Sequence, residues 1–137
     1  HDYRALLVAE HARRLVRAYA PGGSDCRAWY DLLTDTLDRL PGVRKLPEML
    51  GFEMDVLRLA GLSPAFDADA LQLRGERAMP VSAETLACLR NPRREKNLKI
   101  LLDAARVIGV FYNFHLDVDV EGRRELINLI SQSEKQK

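Results

Sequence analysis

The stretch FEMDVLRLAGLSP, residues 52–64, decides the fold of this chain. Its apolar residues, from Phe52 to Ala60, recur at helical spacing and so lie on one face of an amphipathic helix. Gly61 can adopt the left-handed conformation that closes the last turn, and Pro64 cannot continue a helix. The stretch therefore predicts a packed helix with a defined end.

Two longer amphipathic patterns precede this helix. The first runs from Tyr3 to Tyr19 and ends at Pro21-Gly22-Gly23, after which Ser24 or Asp25 is expected to cap the second. The apolar face of the first helix is expected to consist of Leu6, Leu7, Leu15, Val16 and Tyr19, with Arg13, Arg14 and Arg17 on the opposite side. The apolar face of the second helix is expected to consist of Trp29, Leu32, Leu33, Thr36, Leu37 and Leu40. Pro41-Gly42 stops the second helix. The short connector predicts an antiparallel hairpin.

The third helix, which contains the opening stretch, is expected to begin near residues 46–48. Pro47 suits its first turn, and Gly51 indicates a close approach by another helix. Beyond it, the helical period is lost from residue 67 to residue 80. There, residues 70–73 and 78–81 are expected to form a small hairpin, and Pro80 restricts its second strand to a sheet edge.

The second half of the chain returns to helical patterns. Ser82 is expected to cap a short helix that ends near Asn91-Pro92. A fifth helix, from about Arg93 to Phe114, is apolar nearly all round and is expected in the middle of the bundle. A last helix carries Leu126, Ile127, Leu129 and Ile130. We therefore predict a mainly all-α fold: a single domain, residues 1–137, built as a compact bundle of about six helices with a small irregular or β-hairpin insertion around residues 65–81.

Composition excludes several classes of protein. The 137 residues are 47% apolar and 30% charged with a net charge of +1, which is ordinary for a globular domain and gives no overall field for nucleic acid. No apolar run is long enough to span a membrane. Cys26 and Cys88 form no CxxC pair, so we expect two reduced thiols in the cytoplasm and no zinc site. The chain is expected to be one piece of a longer protein.

Neither a catalytic site nor a metal site is expected. Residues 117–122 resemble the start of a calcium loop, with acids at positions one, three and five and Gly122 at six. Position twelve is Asn128, which cannot supply the bidentate carboxylate, so an acidic turn is the better interpretation. His11 and His115 have no metal-spaced partner, and no nucleophile set or phosphate loop is present in the pattern. We predict no enzyme, no cofactor and no metal.

A cluster of basic residues marks the predicted entry to the fifth helix. Residues 90–99 carry five positive charges against the single negative charge of Glu95; the five are Arg90, Arg93, Arg94, Lys96 and Lys99. Such density can bind phosphates through counterion release, without reading sequence. The alternative is an ordinary solvated helix start, although cations oppose the dipole there. These five residues are the candidate nucleic-acid-binding set.

Three blocks together resemble one known family. They are the helical pair from Tyr3 to Leu40, the F-E-x-x-L-L-x-x-x-G-x-x-P-like segment at residues 52–64, and residues 98–130, where a long helix is followed by a turn and Arg124-Glu125-Leu126. This arrangement is similar to the helical C-terminal part of the RecO recombination mediators. Arg123 stands where the family usually has Ser, the cysteine cluster of many members is missing, and the family's N-terminal OB-fold has no counterpart in these residues.

The resemblance implies a non-catalytic DNA-repair mediator. Its implied partners are RecR, DNA and the acidic-apolar tail of single-stranded DNA-binding protein, and its implied roles are strand annealing and RecA loading. A basic rim around an apolar groove would hold such a tail, and the local candidates are Arg44, Lys45, Met49 and Arg58. DNA binding by this chain alone is expected to be weak. The alternative is a helical protein-protein interaction or assembly domain with no nucleic-acid role.

Overall fold

The computed structural model describes residues 3–22, 26–62, 65–66, 70–72, 78–115 and 120–135. Within them lie six α-helices: α1 (Tyr3–Tyr19), α2 (Arg27–Arg39), α3 (Lys45–Leu59), α4 (Ala83–Arg90), α5 (Leu98–His115) and α6 (Val120–Lys135). Two short 3-10 helices, Leu40–Gly42 and Pro92–Arg94, lead into α3 and towards α5. Three short strands, β1 (Ala65–Phe66), β2 (Ala70–Gln72) and β3 (Ala78–Pro80), separate α3 from α4. The all-α prediction is confirmed.

Helix α3, which contains most of the opening stretch, is the centre of the bundle. Every residue from Leu46 to Met54 is buried, and the helix contacts α1, α2, α5, α6 and the 3-10 helix Pro92–Arg94. Pro47 lies in its first turn, and Gly61 closes its end with a positive φ of 74°, as expected. Pro64 falls outside the described residues. The expectation that the fifth helix would be central was wrong, since α5 exposes Arg106 and Val110 on one side.

Helices α1 and α2 pack on each other and on α3. In the predicted apolar stripe of the second helix, Trp29 and Thr36 of α2 and Leu40, which directly follows it, are buried. The buried face of α1 is instead formed by Val8, Ala9, Ala12, Leu15 and Val16. Leu6, expected on that face, is 64% exposed, because the buried stripe of α1 is set one residue away from it. The N-cap of α2 is Cys26 without a side-chain cap, while Ser24 and Asp25 lie outside the described residues.

The insertion between α3 and α4 is an antiparallel sheet in the order β1-β2-β3. Ala70 pairs with Pro80, and Gln72 pairs with Ala78, so the predicted hairpin is confirmed with a short additional strand, β1, on its other side. Pro80 lies on the edge strand, as expected from its missing N–H. The expected turn at residues 74–77 lies outside the described residues.

Two helix starts depend on side-chain caps. Ser82 Oγ accepts the backbone N–H of Thr85 at 3.2 Å and begins α4, as predicted. Helix α5 begins at Leu98, five residues later than expected, where Asn97 Oδ1 accepts the N–H of Ile100 at 3.2 Å. Residues 117–119 of the predicted acidic turn lie outside the described residues, and Gly122 belongs to α6.

Candidate functional site

A buried carboxylate on α3 joins three other helices. Glu53 is fully buried, and its carboxylate accepts Arg123 Nε and Nη2 from α6, each at 2.8 Å. His11 Nε2 of α1 lies 2.9 Å from the same carboxylate. Tyr112 of α5 donates its hydroxyl to the backbone carbonyl of Glu53. One α3 residue therefore ties α1, α5 and α6 to the centre of the bundle.

The cluster keeps Glu53 ionised in the interior. Burial alone would raise the pKa of its carboxyl, but the charges and hydrogen bonds of Arg123 and His11 outweigh burial and lower the pKa from 4.5 to about 2. Because an ionised carboxylate can only accept, Nε2 of His11 carries the hydrogen in this contact. Burial raises the pKa of Tyr112 well above its usual value, so its phenol stays protonated as a donor. These groups are mutually satisfied and hold the helices together.

A glycine on α5 makes room for the buried arginine. A Cβ atom on Gly109 would lie 2.7 Å from Arg123 Nη1, closer than side-chain carbons approach other atoms. Gly51 on α3 plays the same part for Arg93, whose Cγ would lie 2.7 Å from an added Cβ. The close approach expected at Gly51 is therefore made by the arginine side chain from the 3-10 helix.

A second carboxylate of α3 anchors the basic residues. Glu48 is 3% exposed and receives Arg39 Nε at 2.7 Å and Arg93 Nε at 2.8 Å. Arg93 Nη1 also pairs with Asp55 Oδ2 at 2.9 Å, while Asp55 Oδ1 binds Arg58 at 2.7 Å. Arg93, which the sequence predicts to be a phosphate ligand, is thus paired with two carboxylates of α3. The spacing of the basic residues carries no information on these contacts.

The other four candidate nucleic-acid-binding residues lie on the surface. Arg90 ends α4, and Arg94 and Lys96 lie between α4 and α5, all with exposed side chains. Lys99 in the first turn of α5 is 86% exposed and pairs with Asp103 at 3.3 Å. All four therefore lie within ten residues of one another in the chain, and their side chains are accessible to solvent.

The expected partner-binding groove at α3 is not formed by the four residues named for it. Met49 is 0% exposed, so it belongs to the core and cannot line a surface groove. Arg44 Nη1 donates to the carbonyl oxygens of Glu95 and Lys96, both at 3.3 Å. Lys45 bonds the carbonyl of Val43, and Arg58 pairs with Asp55. The central position of α3 buries the apolar residue that this site needed.

Two surface grooves instead flank α6. The groove between α5 and α6 has a volume of about 580 Å³ and an apolar floor that includes Leu102, Ala105 and Ile127. Arg106 and Arg124 stand on its rim with exposed side chains, and no acidic residue lines it among the described residues. The groove between α1 and α6, of about 440 Å³, is lined by Leu7, Leu15, Tyr19, Leu126 and Leu129, with Glu10, Arg14 and Glu125 at its edge.

Arg106 and Arg124 were missed from the sequence. Arg106 is a single cation among apolar residues of its helix, and Arg124 lies between Arg123 and Glu125; cations in both settings are normally assigned to the solvent-facing side. The available signal was Gly109, since a mid-helix glycine indicates a packing reason for its lack of a side chain, and the helix that packs there is α6, through Arg123.

Neither metal ligands nor a membrane span is evident in what the structure describes. Over residues 3–22, 26–62 and the other described ranges, no three His, Cys, Asp or Glu side chains come close enough to hold an ion. Among these residues, no helix has both the length and the apolarity to cross a bilayer.

Comparison with known proteins gives one match. The family model described as "Recombination protein O C terminal" matches residues 1–132. No curated protein and no solved structure matches the chain. The match includes α1 to α5 and most of α6, so both grooves and the basic surface lie within it.

Proposed function

This chain belongs to the recombination protein O C-terminal family, and from that premise we propose that its α5/α6 groove holds an acidic, apolar peptide tail. Membership gives the chain a role in DNA recombination and repair, as a mediator and not as a catalyst. The finer proposal is that the tail is that of single-stranded DNA-binding protein, and that the domain works with RecR in annealing and in loading RecA in the cytoplasm.

The observation that carries the proposal is the composition of the groove. Its floor is apolar, with Leu102, Ala105 and Ile127, and its volume of about 580 Å³ suits several side chains of a peptide. Its rim carries two arginines and no acid among the described lining residues. Apolar side chains can fill the floor while carboxylates meet the guanidinium groups of Arg106 and Arg124, which are suited to planar, two-point recognition of carboxylates.

The availability of these arginines supports the same proposal. Neither Arg106 nor Arg124 forms an ion pair within the described residues, whereas Arg39, Arg93 and Arg123 are held by internal carboxylates. An arriving carboxylate therefore displaces only water from Arg106 and Arg124. This favours the α5/α6 groove over the α1/α6 groove, where Glu10 and Glu125 would repel an acidic tail.

Fluorescence anisotropy of a labelled acidic-apolar tail peptide tests the proposal. Arg106→Glu and Arg124→Glu should each weaken binding by about tenfold, because a reversed charge faces the acids of the peptide. Arg17→Glu is the matched control, since Arg17 is exposed on α1 and lines neither groove, and should change affinity by less than about twofold at 0.15 M salt. Equal losses in all three variants would refute the assignment of the groove.

A weak contact with the DNA backbone is the second part of the proposal. Arg90, Arg94, Lys96 and Lys99 are close in sequence, and all four side chains are exposed. Their charge supports non-specific binding to phosphates that falls steeply with salt. Replacing Arg94 and Lys96 by Gln should reduce single-stranded DNA binding and lower the slope of its salt dependence by about 1.4, from about 0.7 for each lost contact.

Self-assembly is the rival function, and one surface favours it. Tyr3 is 60% exposed, Leu6 64% and Leu129 42%, so apolar side chains face solvent beside the α1/α6 groove. Exposed apolar surface of this kind can pair with another chain. Sedimentation of the wild-type protein and of Leu6→Arg distinguishes the two functions. A dimer lost in Leu6→Arg, with no binding of tail peptide or DNA by either protein, would establish assembly.

A further inference from the structure

Two arginines connect the basic segment, residues 90–99, to α3 and the residues just before it: one belongs to the segment and the other contacts the segment from outside. Arg93 reaches out of the segment to Glu48 and Asp55 on α3, at 2.8 Å and 2.9 Å. Arg44, just before α3, reaches into the segment and donates to the carbonyl oxygens of Glu95 and Lys96. Between α4 and α5 the segment has one 3-10 turn of its own, so these contacts fix most of its position.

Arg93 is unsuited to bind an external phosphate. Two of its three guanidinium nitrogens are bound to carboxylates, and the third, Nη2, is buried without a hydrogen-bond partner in the described residues. Gly51 leaves the space in which the side chain lies flat against α3. Its neighbours Arg94 and Lys96, by contrast, are exposed. Adjacent residues of the segment therefore face opposite ways.

We propose that Arg93 and Arg44 are positioning residues, which hold the basic segment in one conformation so that Arg90, Arg94 and Lys96 meet DNA phosphates as a preformed surface. The inference rests on the proposed DNA contact and changes the part that Arg93 plays in it. A segment that is ordered before binding loses less conformational entropy when phosphates arrive, so the same cations give tighter binding.

Removing the carboxylate of Asp55 distinguishes a positioning role of Arg93 from a purely electrostatic effect on DNA binding. Asp55→Asn takes away a carboxylate that holds Arg93, and it raises the net charge of the protein by one. Simple electrostatics predicts tighter DNA binding from that gain. A positioning role predicts weaker DNA binding instead, because the released basic segment must be ordered again when DNA binds. We expect single-stranded DNA affinity, measured by anisotropy at about 50 mM salt, to fall about threefold or more.

Asp103→Asn is the matched control. Asp103 lies on α5 and pairs with Lys99 at 3.3 Å, so its loss adds the same charge near the same surface and leaves the Arg93 contacts intact. DNA affinity should rise in this variant, by up to about twofold. Arg93→Lys is a second test that keeps the charge but cannot reproduce the forked contacts to two carboxylates, and it should weaken binding as Asp55→Asn does.

Hydrogen exchange gives a readout that is independent of DNA. The amides of Arg94 and Glu95, which bond the carbonyls of Asn91 and Pro92, should exchange at least about tenfold faster in Asp55→Asn than in the wild type and the control. Unchanged exchange, or tighter DNA binding by Asp55→Asn, overturns the inference and leaves the DNA contact standing. No DNA binding by the wild type at low salt refutes the contact itself, and the inference with it.

Discussion

A Cβ atom at Gly109 would lie 2.7 Å from Nη1 of Arg123, so the guanidinium occupies the space that any other side chain at this position would need. The same guanidinium makes two hydrogen bonds of 2.8 Å to Glu53. The ion pair between Glu53 of α3 and Arg123 of α6 therefore depends on the lack of a side chain at Gly109 of α5.

The first prediction concerns Gly109 itself. Alanine is usually better than glycine inside a helix, yet Gly109→Ala should lower the free energy of unfolding by about 1–3 kcal/mol, because the added methyl displaces Arg123 from Glu53. Gly42→Ala is the control, since no atom lies within 4 Å of its added Cβ, and its change should stay below about 1 kcal/mol. Urea unfolding measures both. A stabilised Gly109→Ala protein would contradict the packing.

The second prediction concerns the charge of Glu53. Glu53→Gln should lower the free energy of unfolding by about 3–5 kcal/mol, because Arg123 is 6% exposed and would be left as an uncompensated buried cation. Glu10→Gln provides the contrast: the side chain of Glu10 is 46% exposed and pairs with Arg14 at 3.5 Å, so the loss of its charge should cost less than about 1 kcal/mol. Similar losses in the two variants would mean that burial does not set the strength of these pairs.

The third prediction is a pH dependence with a definite sign. The folded pKa of Glu53 is lowered from 4.5 to about 2, so the folded state holds its proton less tightly than the unfolded state. The resulting stability is complete above pH 4.5 and is lost as the pH falls towards 2, by about 3 kcal/mol in all. Urea unfolding of the wild type across this range measures the loss. Glu53→Gln lacks the titrating group, and an equally steep decline in that variant would argue against Glu53 as the source.

The fourth prediction is a difference in thiol reactivity between Cys26 and Cys88. Cys88 is buried, and burial together with the charge of Glu95 raises the pKa of its thiol from 9.0 to about 12. Because the thiolate is the reactive form, a thiol reagent at pH 8 should modify the half-buried Cys26 first. Mass spectrometry of peptides after timed labelling gives both rates. In urea the two rates should converge, and equal rates in the native protein would be inconsistent with the burial of Cys88.

Periodicity accounts for the part of the fold that was predicted correctly. The apolar repeat of α2, the cap at Ser82, the stop at Gly61 and the edge position of Pro80 all depend on residues close in sequence. Such local rules act before any tertiary contact forms. They failed at Leu6, where one-residue differences in the angle of a helix decide which side chain is buried.

The ion pairs of the interior could not be predicted in this way. His11 and Arg123 meet Glu53 from 42 and 70 residues away, and Arg93 meets Glu48 from 45 residues away. Charged residues are normally assigned to the surface, and no spacing rule connects positions so distant. The available clue was Glu53 itself, an acid between the apolar residues Phe52 and Met54 of the opening stretch. The α5/α6 groove was missed for the same reason, because it depends on where α6 lies.

The ion pair between Glu53 and Arg123 joins residues that are 70 positions apart, and this separation limits how far the polypeptide can be shortened. A polypeptide that stops before α6 would carry its helices up to α5 but would enclose a carboxylate with no arginine opposite it. We therefore expect the described helices to fold cooperatively, since the N-terminal helices cannot complete their interior until the last helix docks. Fragments released by proteases from the C-terminal side should therefore unravel and be degraded, and not persist as smaller bundles.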